Sequence, residues 1–451
     1  MRIIKPICKV AAFLLIFVLL NQLIGFFSLP KQTLSQEMWD SYRTYGDAGK
    51  NIDMIIVGSS HSYESFDPDV IDPILGTTSY NMGTNSQSLR HSARCIEDAI
   101  AEQDLSTAVL VLDSDILEQG LERSYRAEAT FVQAMNGGEP LGRRIRNTAE
   151  YLFDPEYFPG KQSVNYFFPW QWNKVHKDEF IANIKSKLTG EPIEDTTWTY
   201  HRKPNGFKGY EIDFNYDEQS QCPMETWDPE SVSELSLQDL DYICGLCREN
   251  AVELIVVFSP HPRSVTIGTG KSYFARDAFF RSFFESEGVQ FYDFNLAAPE
   301  LFESRPEYYK DWQHCNNKGA AAVSESLAHL IEKIHKGEDV SKLFYTDRKS
   351  YMSSFDDFDS FNCQYFSRPG MPIRFFTTPF KGVNVEIEFQ LLAKGPGDAD
   401  YQVVREYSED RNFEWTPPKA GEYQLRVNAR RVGSKAPYEH YRLHKRYWFA
   451  G

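Results

Sequence analysis

Two short segments of this 451-residue chain hold side chains that can do covalent chemistry. Gly58-Ser59-Ser60-His61 follows directly on the apolar run Met54-Ile55-Ile56-Val57, and Asp311-Trp312-Gln313-His314-Cys315-Asn316-Asn317-Lys318-Gly319 stands just before a helical pattern. A serine hydroxyl is a poor nucleophile until a base within hydrogen-bond reach takes its proton. A carboxylate three residues before an imidazole in a loop can orient one ring nitrogen while the other accepts that proton. Taken singly, G-S-S-H is an ordinary turn, and D-x-x-H is a helix-capping loop or half a metal site. No other His or carboxylate cluster supplies the missing ligands, so neither a metal nor a cofactor is expected. Together, at opposite ends of one run of strands and helices, the motifs specify a relay of Ser, His and Asp. Two neighbours are weaker candidates. His61 abuts Ser60 but faces away from it if the turn continues into a helix. Ser259-Pro260-His261-Pro262 follows another strand and reads as a rigid loop at the rim of a crevice.

A relay of this kind needs a scaffold that carries distant segments to one edge. Met54–Val57, Ala108–Leu112, Leu254–Phe258 and Val289–Phe294 are short apolar runs of the kind found in parallel strands buried on both faces. Helical patterns lie between and after them, at Ser88–Glu102, Ser233–Asn250, Tyr273–Glu287 and Lys318–Lys336. Strands alternating with helices imply an α/β domain with a covered parallel sheet, whose ligand crevice opens at the C-terminal ends of the strands. The stretch from Leu117 to Pro229 breaks this rhythm with aromatics, Pro and Gly. It is too long for a structureless loop and reads as an insertion with some helix of its own. Pocket-shaping and surface-elaboration roles both stay open for it.

Past Lys336 the pattern changes. Val383, Val385, Ile387 and Phe389 alternate with polar residues, as do Tyr423, Leu425, Val427 and Ala429. This predicts a small antiparallel β-sandwich over 371–451. Through the corner Trp415-Thr416-Pro417-Pro418-Lys419-Ala420-Gly421-Glu422-Tyr423 it resembles triple-tyrosine or immunoglobulin-like modules. It holds no cluster of acid, base and nucleophile, which suggests binding or spacing. At the other terminus, Arg2, Lys5 and Lys9 precede an almost unbroken apolar run from Val10 to Phe27. That run is long enough for a bilayer core of ~30 Å, and the basic flank puts the N-terminus in the cytoplasm and the bulk outside. A cleaved signal peptide competes with this reading, but no A-x-A-like site follows the run.

The formal charge of −16 argues against nucleic acid as a partner, since phosphate backbones are bound by clustered Lys and Arg. The seven cysteines are too scattered for a disulfide scaffold, and Cys244-Gly-Leu-Cys247, lying in a predicted helix, reads as a structural pair of thiols. The expected layout is a signal anchor over 1–30, a polar connector over 31–50, the α/β domain over 51–336 with its insertion at about 117–229, a linker over 337–370 and the sandwich.

The pairing of strand–G-x-S with D-x-x-H before the final helix resembles the SGNH (GDSL-like) hydrolases, over roughly residues 50–336 with the insertion set aside. G-S-S-H, the segment Tyr80-Asn81-Met82-Gly83-Thr84-Asn85-Ser86-Gln87-Ser88 and D-W-Q-H-x-N-x-x-G are most similar to the DltD-like and AlgJ/AlgX-like extracytoplasmic acyl-transfer branch. The resemblance implies a flavodoxin-like three-layer αβα domain. It also implies Ser60 as nucleophile, His314 as general base and acid, and Asp311 as orienting carboxylate, with Ser59 as the fallback nucleophile. Oxyanion donors would come from the Ser60 backbone and from a Gly amide at the position of Ser86. The family's third block, G-x-N-D, is absent, because Val109-Leu110-Val111-Leu112 runs straight into Asp113-Ser114-Asp115. Asn85 is either the substitute donor or a structural turn residue. The resemblance further implies a membrane-bound O-acyltransferase partner and a polysaccharide or cell-wall polymer as acceptor. An esterase with the same triad and a non-catalytic carbohydrate-binding scaffold are the alternatives.

Overall fold

The computed structural model describes residues 4–28, 41–45, 51–113, 177–189, 200–218, 221–224, 226–368 and 371–449, with isolated positions between them. These fall into two units, Met1–Tyr210 with Val232–Ile255 and Glu211–Ser231 with Val256–Gly451.

In the first unit the strands β1 (Met54–Gly58), β2 (Ser79–Asn81) and β3 (Thr107–Leu112) run parallel, with Ile55 level with Tyr80 on one side and Ala108 on the other. Every residue of the three strands is buried. That is why β1 and β3 are continuous apolar runs rather than alternating ones. The helix Leu89–Glu102 starts where Ser88 accepts a hydrogen bond from the His91 N–H, and it buries Leu89, Ala93, Ile96 and Ala99 on one face. In the helix Glu234–Glu249, capped by Ser233, Cys244 and Cys247 point inward. Burial pushes the Cys247 thiol up to about 12, which suits a packing role and not a redox one. None of the seven cysteines forms a disulfide.

Part of the expected insertion returns to this unit as a hairpin of β4 (Tyr200–Arg202) and β5 (Lys208–Tyr210). Its turn lies against β2. The Asn81 N–H donates to the Asn205 carbonyl at 2.9 Å, and a Cβ on Gly206 would fall 1.9 Å from the Asn81 oxygen. Lys203 and Asn205 are anchored to Asp67 and Asp69 at 2.6 and 2.8 Å. The hairpin therefore covers an edge strand that would otherwise present open backbone groups.

With β6 (Glu253–Phe258) and β7 (Gln290–Asp293) the sheet has the order β2-β1-β3-β6-β7, and the boundary between the units falls within β6. This 2-1-3-4-5 order matches the expected flavodoxin-like arrangement, whose switch point lies beside the first strand.

The second unit carries the helices Lys271–Glu287 and Asn317–His335 and then seven antiparallel strands. These are β8 (Phe358–Phe366), β9 (Ile373–Lys381), β10 (Ile387–Lys394), β11 (Gln402–Ser408), β12 (Asn412–Trp415), β13 (Gly421–Arg431) and β14 (His440–Phe449). They form a four-stranded sheet, β11-β10-β13-β14, and a three-stranded one, β12-β9-β8. Between the sheets lie Phe361, Phe375, Phe389, Leu391, Leu425 and Val427, all fully buried. The sandwich starts at Phe358 and not at 371, so the stretch expected as a linker holds its first strand as well as the helical turn Arg348–Met352. That strand shows no alternation because its polar residues Asp359, Ser360 and Asn362 are buried too.

The N-terminal helix α1 (Ile4–Ser28) exposes Val10, Phe13, Leu14, Ile16, Leu19 and Leu23. Among the described residues no helix is long and apolar enough to cross a membrane. The side chains of Gln22 and of residues 25–27, which belong to the apolar run, lie outside them. The expected transmembrane helix is thus not shown by the structure.

Candidate active site

Ser60 belongs to the first unit and Asp311 and His314 to the second. Around Ser60 the chain leaves β1 at Gly58, whose φ is 149° and where a Cβ would sit 2.5 Å from the Val111 carbonyl. Only glycine fits this exit. Ser59 then caps the helical turn Ser60–Tyr63, accepting from the His61 N–H at 3.4 Å. Its hydroxyl donates to the Asp113 carboxylate, and both residues are buried. Ser59, the fallback nucleophile, is therefore spent on a cap and a cross-strand bond, whereas Ser60 is the half-buried first residue of the turn. Asp113 stands at the end of β3, where the resembled family has its third block.

The second block is held by Asn81, which is fully buried. Its side-chain oxygen accepts from Ser62 Oγ at 2.9 Å and from the Gly83 N–H at 3.0 Å. Its amide donates to the carbonyls of Ser62 and Phe66 at 3.0 and 2.8 Å. One amide thus locks the turn bearing Ser60 to the loop after β2. Further along that loop, the Tyr63 hydroxyl donates to Oδ1 of the exposed Asn85. Ser86 has φ 51°. A serine there adopts the left-handed turn that favours glycine, at a cost of roughly 1–2 kcal/mol.

In the second unit the Asp311–His314 pair forms as expected. His314 Nδ1 lies 3.0 Å from each carboxylate oxygen of Asp311. An ionised carboxylate only accepts, so Nδ1 carries the proton and Nε2 is the basic nitrogen. The Asp311 carboxylate also accepts from the backbone N–H groups of Gln313 and His314, at 2.7 and 2.8 Å. Burial pushes its pKa up, but the hydrogen bond and charge of His314 and the two backbone donors outweigh this and hold it well below the usual carboxylate range.

The loop owes its shape to two further motif residues. Buried Asn316 caps the helix Asn317–His335 through the N–H groups of Lys318 and Gly319, and its amide donates to the carbonyls of Ile212, Glu307 and Tyr309. Gly319 has no room for a side chain, since a Cβ would come within 2.1 Å of the Tyr308 carbonyl. The weaker candidates read as scaffold. His61 is buried in its turn. The His261 N–H and Nδ1 both face Asn295 Oδ1, at 2.7 and 3.1 Å, which fixes the loop after β6. Sequence reasoning quoted Asn81 and Asp113 in their segments but gave neither a role, because Ser62, Phe66 and Ser59, to which they bond, lie 15 to 54 positions away. Among the described residues no group of His, Cys, Asp or Glu could hold a metal ion.

No family model and no curated protein matches the chain. Solved structures that resemble it include a Bacteroides fragilis NCTC 9343 protein described as an acylhydrolase and a GDSL-like lipase from Bacteroides thetaiotaomicron VPI-5482. Each is 8% identical with a TM-score of 0.27, over 65% of this chain and 96% and 98% of theirs.

Proposed function

We propose that this chain is an SGNH-type serine enzyme of acyl transfer, with Ser60 as nucleophile, His314 as general base and acid and Asp311 as the carboxylate that orients it. The observation that carries this reading is the His314–Asp311 pair, in which a fixed carboxylate sets the tautomer that leaves Nε2 basic. In the reaction, Nε2 takes the Ser60 proton as Oγ bonds to the acyl carbonyl carbon. The resulting oxyanion would be met by N–H donors at Ser60 and Ser86 and by the Asn85 amide. The intermediate collapses as the bond to the leaving oxygen breaks, and that oxygen takes the proton from Nε2. An acceptor hydroxyl then gives its proton to Nε2 and attacks the acyl-serine; the bond to Ser60 Oγ breaks as Oγ takes that proton back from Nε2, and the acceptor leaves with the acyl group.

The favoured acceptor is a sugar hydroxyl of a cell-surface polymer, with water, as in an esterase, the alternative. Membrane tethering through α1 is part of the proposal, supported by its apolar side chains and the basic residues before them. So is an acyl-delivering membrane-bound O-acyltransferase partner, on the motif resemblance alone. One observation favours a non-catalytic scaffold instead: after β3, where the resembled family has an Asn, this chain has Asp113, whose carboxylate accepts from Ser59. Labelling of the full chain with a fluorophosphonate probe separates these readings. Wild type is expected to label while Ser60→Ala and His314→Ala do not. A folded wild type that stays unlabelled refutes the enzyme reading.

A further inference from the structure

Within the second unit, the loop that carries His314 is held from behind by the sandwich. Trp312, between Asp311 and Gln313, is buried edge-on against Phe214 and Tyr216, at ring distances of 4.9 and 5.3 Å. Phe380 of β9, fully buried, belongs to the same cluster. The chain around Phe214 and Tyr216, residues 211–218 and 221–224, forms a strap with bonds to both sides. Towards the histidine loop, the Phe214 N–H donates to the Tyr309 carbonyl at 3.1 Å and the Tyr216 hydroxyl to the Pro306 carbonyl at 3.1 Å.

Towards the sandwich, Arg442 of β14 is 2% exposed and bridges two main-chain carbonyls, that of Phe361 at 2.7 Å and that of Tyr216. The Asn362 side chain closes a two-way pair with the backbone of Cys222, at 2.7 and 2.9 Å. His440 spans Asp217 and the Phe358 carbonyl at 3.1 and 3.2 Å. A module meant to swing on a linker would be joined through a small, wet interface. Here a buried guanidinium and a buried amide are spent on holding one strap, and losing either leaves buried backbone groups without partners.

We propose that the sandwich is a fixed buttress of the active-site loop, and that Phe380, Asn362 and Arg442 are positioning residues for His314. The proposal rests on the reading of His314 as the base, because only then does its placement set the rate. Displacing a base by about 1 Å costs on the order of a hundredfold.

The test uses the full chain in detergent, with ¹⁵N-labelled histidine, and follows the His314 ring signals beside the rate of fluorophosphonate labelling. Phe380→Ala and Asn362→Ala are expected to move the ring signals and to slow labelling by about 10- to 100-fold, with Phe380→Leu restoring most of both. Phe413→Leu, in the sandwich core away from the strap, is expected to lower the melting temperature and leave both readouts alone. If Phe380→Ala and Asn362→Ala fold and leave the His314 signals unmoved, the buttress is refuted. Should wild type fail to label while the ring signals still respond, the buttress stands and the serine-enzyme reading falls.

Discussion

Replacing Asp311 by Asn tests the proposed catalytic pair with almost no change of shape. The amide oxygen can still accept from the N–H groups of Gln313 and His314, so the local turn is expected to survive. What disappears is the negative charge 3.0 Å from Nδ1. With Asp311 44% exposed, an effective dielectric of about 40 is appropriate, and two unit charges at that separation interact by roughly 3 kcal/mol. Withdrawn from the imidazolium that forms as Ser60 attacks, that energy is about a hundredfold in rate. The Asn NH2 would also turn its hydrogen towards Nδ1 and favour the tautomer protonated on Nε2, which cannot act as base. This second effect takes the expected loss to roughly 10³–10⁴-fold. Because the lost anion had stabilised the imidazolium, the acid limb of the labelling-rate profile is expected to move to lower pH. The assay is the rate constant of fluorophosphonate labelling of the full chain between about pH 5 and 9, the range in which histidine titrates. A folded Asp311→Asn that labels within about threefold of wild type, with its acid limb unmoved, would refute the role derived from this geometry.

Ser59→Ala separates the cap from the nucleophile. It removes the hydroxyl that donates to the buried Asp113 carboxylate and is expected to cost about 1–3 kcal/mol in denaturant unfolding, while labelling at Ser60 persists; loss of labelling at unchanged stability would reverse the roles of the two serines. Gly319→Ala drives a methyl group into the Tyr308 carbonyl and is expected to destabilise the chain by roughly 1–3 kcal/mol and to broaden the His314 ring signals. An unchanged melting temperature would mean that the approach of helix and loop is looser than the structure has it.

What could be read from the sequence follows from how each residue is buried. Strands β1 and β3 were legible because burial on both faces demands an unbroken apolar run, which Met54–Val57 and Ala108–Leu112 supply. Strand β13 was legible for the opposite reason, since one solvated face lets Tyr423, Leu425, Val427 and Ala429 alternate cleanly. Ser88 and Ser233 marked their helices through local capping chemistry. The Asp311–His314 pair is equally local, closed within one turn, so its spacing was enough. The three-residue β2 was invisible as a strand, and its Tyr80-Asn81 stood out only as a motif.

The elements that stayed hidden share one cause, which is also what makes them matter. β8 hides its period because Asp359 is paired with Arg263, while Asn362 is bonded to the chain at Cys222, so its polar face is as buried as its apolar one. Residues 211–224 were submerged in a single long insertion because nothing in their sequence marks Tyr216 as a partner of Arg442, a residue 226 positions away. Buried polar groups satisfied by distant partners break the periodicities on which pattern reading depends. They also define geometry more sharply than apolar packing does, since a hydrogen bond to a main-chain carbonyl tolerates little displacement before a buried group is left unpaired. Irregular polar segments near a loop-borne base are therefore where positioning residues are to be sought. In this chain that search leads to Arg442 and Asn362, in the domain whose sequence offers no chemistry of its own.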